Sequence, residues 1–207
     1  WLRAIIKIVV VRVREANQRL EQSTIPCPTL SLAQFLQLEI RARSITSFDY
    51  FETSDNYAKL SRATQAEFKQ AITKLEQNQI INFNDEESGS QSIIVSDPKL
   101  LDAIVTSYKD HRYKRPIRAQ DLNDDSQMII EYIEGRQALK LPLNQPKKQF
   151  IKGFQSKLAR SGEYSMAQLI DYCIICIDDD QVHIKSDKLK QLKLEISALS
   201  KLKALLS

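Results

Sequence analysis

Between Leu32 and Ser96 the apolar residues change their spacing once, from the roughly 3.6-residue period of a helix to the roughly 2-residue period of a strand. Ser31 stands as a cap before a helix carrying Leu32, Phe35, Leu36 and Ile40. A second, short helix fits Ile45–Phe51. A third fits Thr64–Asn78, with Phe68, Ala71, Ile72 and Leu75 on its inner face. Gln79–Phe83 and Ser92–Ser96 then read as strands around the polar, glycine-bearing turn Asp85–Gln91. Asp97-Pro98 opens a further helix with Leu100, Leu101, Ile104 and Val105 inside, proline being well placed in a first turn. Three helices followed by a two-stranded hairpin is the winged-helix order, and the acidic turn is its wing tip.

Lys109–Arg118 is dense in charge, contains Pro116 and precedes a second hydrophobic block that begins near Ser126. Helices fit Gln127–Arg136, Lys147–Arg160 and Ser165–Ile177. Val182–Lys185 is a short strand, and Asp187–Leu206 a long terminal helix with Leu189, Leu192, Ile196, Leu199 and Leu206 at heptad spacing. This block resembles a small winged unit with poorer wing signals, and no internal repeat is visible. The expected architecture is mainly α with small β wings, as two winged-helix units in tandem. An N-terminal helix or linker covers 1–28, a first winged-helix domain 29–110, a linker 111–125 and a second winged-helix-like domain 126–207. Trp1–Gln22 itself reads two ways. Leu2, Ile5, Ile6, Val9 and Val13 make a helical face, whereas Leu2, Ala4, Ile6, Ile8 and Val10 make one side of a strand. Length favours the helix, and the run is too short and too broken by Arg and Lys to span a membrane.

Composition narrows the function classes. Four glycines in 207 residues leave few of the glycine-rich turns that cradle phosphates and cofactors. A net charge of +4 is compatible with an acidic partner but weaker than that of a dedicated duplex binder. Three cysteines do not read as a disulfide framework, which points to a reducing compartment, nuclear or cytosolic. No signal peptide is evident. The chain opens at Trp1 without an initiator Met and is expected to belong to a longer protein.

Cys173-Ile-Ile-Cys176 has the spacing of half a zinc site, but structural zinc takes four ligands, and these cysteines sit among isoleucines and read as buried packing residues. Asp178-Asp179-Asp180 and Asp85-Glu86-Glu87 lack the interleaved spacing of a calcium loop and read as solvated turns. With two histidines and no catalytic motif, the expectation is a non-catalytic chain with no cofactor and no metal.

Two surfaces remain as candidates for binding a partner or nucleic acid. Gln65, Lys69, Thr73 and Lys74 lie outside the apolar stripe of the third helix, where a DNA-reading winged helix places its contacts. That face has no arginine, the commonest reader of guanine. Lys148 and Lys152 share a basic face with Lys147 and Lys157, opposite Phe150, Ile151, Phe154 and Leu158. Weak or indirect nucleic-acid binding is expected.

Three segments carry a family resemblance. Thr29-Leu-Ser-Leu-Ala-Gln-Phe-Leu, Ser47-Phe-Asp-Tyr-Phe and Lys69-Gln-Ala-Ile-Thr-Lys-Leu-Glu-Gln-Asn-Gln-Ile-Ile-Asn-Phe together resemble the C-terminal half of the Stn subunit of the telomeric CST complex. The likeness continues through Ile93-Ile-Val-Ser-Asp-Pro-Lys-Leu-Leu and covers about residues 29–113. It implies C-terminal winged helices that dock proteins, as in the middle subunit of replication protein A. It also implies a nuclear, telomeric location, with the other CST subunits and DNA polymerase α–primase as partners in fill-in synthesis. In some lineages telomerase holoenzyme proteins join these partners. The alternative is a duplex-DNA-binding winged-helix domain of a replication initiator or transcription factor.

Overall fold

A computed structural model describes residues 27–85, 91–113, 117–158 and 162–206. The ambiguous segment Trp1–Gln22 and the wing tip between Asp85 and Gln91 lie outside them. The chain is mainly helical with two small antiparallel three-stranded sheets. It divides into two compact units. One ends at Arg112 and takes in the last residues from Ser200, and the other is Tyr113–Leu199.

In the first unit, helix α1 (Pro28–Arg43) leads to strand β1 (Ser47–Asp49), helices α2 (Tyr50–Ser61) and α3 (Gln65–Gln77), strands β2 (Ile81–Asp85) and β3 (Gln91–Val95), and helix α4 (Pro98–Arg112). Helix α1 starts earlier than the cap expected at Ser31. Pro28 takes a first-turn position, where the missing N–H is not needed, and Ser31 is buried inside the helix. The short helix expected over Ile45–Phe51 is instead a strand followed by a helix start. Phe48 pairs with Ile93 across the sheet, and the Asp49 carboxylate accepts the Glu52 N–H at 2.8 Å to cap α2. Thr64 and Glu67 close a reciprocal capping box on α3. Asp97 caps α4, which continues through Lys109–Arg112, residues expected to open the hinge. The core runs from Leu32, Phe35 and Leu36 through Phe68, Ile72 and Leu75 to Ile93, Leu101 and Ile104.

The second unit contains α5 (Asp124–Ala138), β4 (Gln145–Pro146), α6 (Lys147–Phe154), α7 (Gly162–Ser165), α8 (Ala167–Asp171), β5 (Ile175–Asp178), β6 (Gln181–Ile184) and most of α9 (Ser186–Leu206). Here three expected elements change. The helix expected over Lys147–Arg160 gives way at Phe154 to a 3-10 turn, Gln155–Lys157. The helix expected over Ser165–Ile177 ends at Asp171, and its last residues form β5. In α9 the expected heptad residues Leu189 and Leu192 are buried, as are Leu202 and Leu205, which widen the same stripe, but Ile196 and Leu206 are exposed and Ala198 is buried in their place.

The two units repeat one plan, although no repeat is visible in the sequence. The sheets have the orders β1-β3-β2 and β4-β6-β5. The ends of α3 and α8 match bond for bond. Asn78 N–H donates to the Lys74 carbonyl and Tyr172 N–H to that of Gln168. Ile80 N–H reaches Leu75 at 3.0 Å, and Ile174 N–H reaches Leu169 at 2.9 Å. Gln79 and Cys173 both take left-handed backbone, each with φ 57°. These are Schellman-type helix ends, a setting that usually takes glycine. A chain so poor in glycine closes them with ordinary side chains, at roughly 1–2 kcal/mol each.

Two glycines of the second unit make opposite demands. A Cβ on Gly135, inside α5, would meet nothing within 4 Å. A Cβ on Gly153, in α6, would lie 2.1 Å from the Tyr132 hydroxyl. The Tyr132 ring cannot swing aside, because it packs edge-on against Phe150 and Phe154 with both centroid distances at 5.6 Å. Gly135→Ala should therefore stabilise the protein by about 0.5–1 kcal/mol. Gly153→Ala should lose roughly 1–3 kcal/mol to overpacking, more than its propensity gain. Urea unfolding of the two variants measures both signs.

Candidate functional site

Gln65, Lys69, Thr73 and Lys74 are all exposed and all on α3. Lys69, Thr73 and Lys74 line an open groove of 640 Å³ together with Ala66, Glu67, Gln70 and Ala71. Gln65 does not line it. The opposite wall is the start of α1, namely Cys27, Pro28 and Thr29. Sequence reasoning missed this wall because the helix is expected to begin only at the Ser31 cap. Proline as a first-turn signal, set before the apolar period of α1, would have pointed to it.

The groove is held from behind. Tyr57 on α2 is buried, and its hydroxyl donates to the Pro28 carbonyl at 3.1 Å. Its ring stands between Phe35 and Phe68, with both centroid distances at 5.7 Å, so α1, α2 and α3 meet on one side chain. On α3, the Thr73 hydroxyl donates to the Lys69 carbonyl at 3.0 Å, so its proton is committed to the helix. The Glu67 carboxylate accepts the Thr64 N–H at 2.7 Å and the Thr64 hydroxyl at 2.9 Å. These bonds hold its pKa below the usual carboxylate range. Among the described residues, neither Lys69 nor Lys74 has an ion-pair partner.

Lys148 and Lys152 are exposed on α6, in the other unit. They lie in the first two turns of a helix whose N-cap, Pro146, supplies no side-chain acceptor. Lys148, in the first turn, opposes the helix dipole, whereas Lys152, in the last turn, complements it.

The cysteine expectation is overturned: Cys173 and Cys176 are both exposed free thiols. Cys173 occupies the left-handed position after α8. Cys176 points outward from β5, opposite His183 on β6. Among the described residues, no group of three or more His, Cys, Asp or Glu side chains could hold a metal ion. No helix of those residues is long and apolar enough to cross a membrane. No family model, no curated protein and no solved structure matches the chain.

Two measurements check this geometry. Burial pushes the Tyr57 hydroxyl above its ordinary pKa. The raised value means that the fold holds the neutral phenol. Its contribution is complete below pH ~10 and is lost as pH rises through the folded value. Tyr57→Phe should lower stability by about 1 kcal/mol at pH 7, with the gap to the parent narrowing above pH ~10. Separately, iodoacetamide should modify Cys173 and Cys176 of the native chain faster than the half-buried Cys27. Protection of both until unfolding would contradict the exposed placement.

Proposed function

We propose that this chain is a non-catalytic protein-docking module of two winged-helix units, serving a telomere-maintenance complex of the CST type in the nucleus. The observation that carries the reading is the repeated plan: helix, strand, helix, helix and hairpin, the last of these helices split at Met166 into α7 and α8 in the second unit, with the same strand order in both sheets. The α3 side chains also favour docking over base reading. Thr73 has given its hydroxyl proton to its own helix, and the exposed cations are lysines, which contact phosphate as point charges without the bidentate base recognition of arginine. The first candidate partners are the large CST subunit and DNA polymerase α–primase, with telomerase holoenzyme proteins as a further set. Nucleic acid is bound weakly or through those partners.

Reconstituted co-purification tests the reading. The chain should associate with at least one candidate. Lys69→Glu/Lys74→Glu or Lys148→Glu/Lys152→Glu should weaken that association while shifting stability by no more than about 0.5 kcal/mol per site. Duplex and single-stranded oligonucleotides should bind no tighter than the micromolar non-specific range at physiological salt. Association with none of the candidates would defeat the proposal. Nanomolar, sequence-dependent duplex binding would replace it with the initiator or transcription-factor reading.

A further inference from the structure

We propose that the groove between the start of α1 and the outward face of α3 binds an acidic, apolar-centred helical segment of a partner protein. The inference rests on the docking reading and names the chemistry of the partner. Pro28, Thr29, Ala66 and Ala71 give the groove small, largely apolar walls. Lys69 and Lys74 bring the positive charge. Glu67, the acidic residue of the same lining, is drawn back onto Thr64 at the head of the helix. Thr73 has its proton engaged with Lys69.

What the groove leaves unspent is two ammonium groups and the Gln70 amide beside apolar surface. Ammonium groups only donate hydrogen bonds, and their complement is a group that only accepts. A carboxylate flanking an apolar helix face meets both demands at once. A nucleic-acid strand meets only the charge, because among the described residues the lining holds no aromatic platform and no arginine for its bases.

The test titrates the full chain with a fluorescein-labelled peptide of about 16 residues, leucine along one face and glutamate on both flanks. Its lysine-flanked twin and an oligo-dT of equal charge run beside it. The glutamate peptide should bind about tenfold tighter than the twin and tighter than oligo-dT. Lys69→Glu/Lys74→Glu should weaken it about tenfold, and Ala66→Trp, which fills the groove without touching charge, should weaken it as well. Lys59→Glu, on exposed α2 surface, should not. Melting temperatures of all variants check that they are folded. Equal binding of the twins, stronger binding of oligo-dT, or equal loss in Lys59→Glu would overturn the groove assignment. If the chain co-purifies with a partner that Ala66→Trp leaves bound, the groove proposal fails and the docking reading survives. If the parent chain binds no partner, the docking reading fails on its own test.

Discussion

Each unit turns on the same few residues. Where α3 ends, Gln79 takes left-handed backbone, and the chain reverses so that Ile80 donates to Leu75 and accepts from Ser96. That places Ile81 opposite Val95 and Phe83 opposite Ile93. Where α8 ends, Cys173 does the same, Ile174 accepts from Lys185, and Ile175 falls opposite Ile184. A slip of one residue at either turn would carry the inward isoleucines to the solvent face. In each unit the sheet, and through it the helices packed on it, hangs on its own reversal. Glycine would make them cheaper, but the buried pairs Leu75/Ile80 and Leu169/Ile174 hold them without it.

The groove follows from that arrangement. Leu75, Ile72 and Phe68 bury one face of α3, which fixes Lys69, Thr73 and Lys74 outward by helical spacing alone. Tyr57 then holds Pro28, and so the opposite wall, at a set distance. The walls thus belong to the part of the unit under the strongest packing constraint. A surface of that kind binds without first ordering itself.

Much of this was legible in the sequence. The stripe of α3, the hairpin and the Asp97-Pro98 helix start all rest on strong periodicity or on caps. The misses have one physical source. Helix ends announce themselves by glycine, and this chain writes them as Ser44, Arg62, Gln79, Lys140 and Cys173. With no stop signal at Cys173, the helix ran on over Cys173–Cys176, and the thiols were placed in a core they do not occupy. At Ile45–Phe51, propensity could not reveal that Ile93 would draw Phe48 into a third strand. The repeat was hidden for a related reason. It consists of backbone bonds and apolar positions such as Leu75/Leu169, and few identities accompany it. The outward face of α3 was readable residue by residue, while its facing wall came from residues ahead of the expected Ser31 cap.

The shared plan does not give the units shared surfaces. The end-of-helix bonds align Lys74 with Gln168, since each carbonyl accepts from the residue four places on. Lys74 projects freely into the groove. Gln168 is turned inward: its Nε2 donates to the Asp121 carbonyl at 2.7 Å, and its Oε1 accepts from Ser126 Oγ at 2.8 Å and from Asn123 N–H at 3.1 Å. The position that offers a cation in the first unit thus fastens the head of α5 in the second. Ala167, aligned with Thr73, has no polar group at all, and the helix is broken at Met166 where α3 is continuous. The second unit carries exposed lysines elsewhere: Lys148 and Lys152 on α6, directly after the first strand of its sheet, and Lys188 and Lys190 on α9. If both units dock partners, they do so through different elements, and a partner shaped to the α3 groove finds no copy of it on the equivalent helix of the second unit.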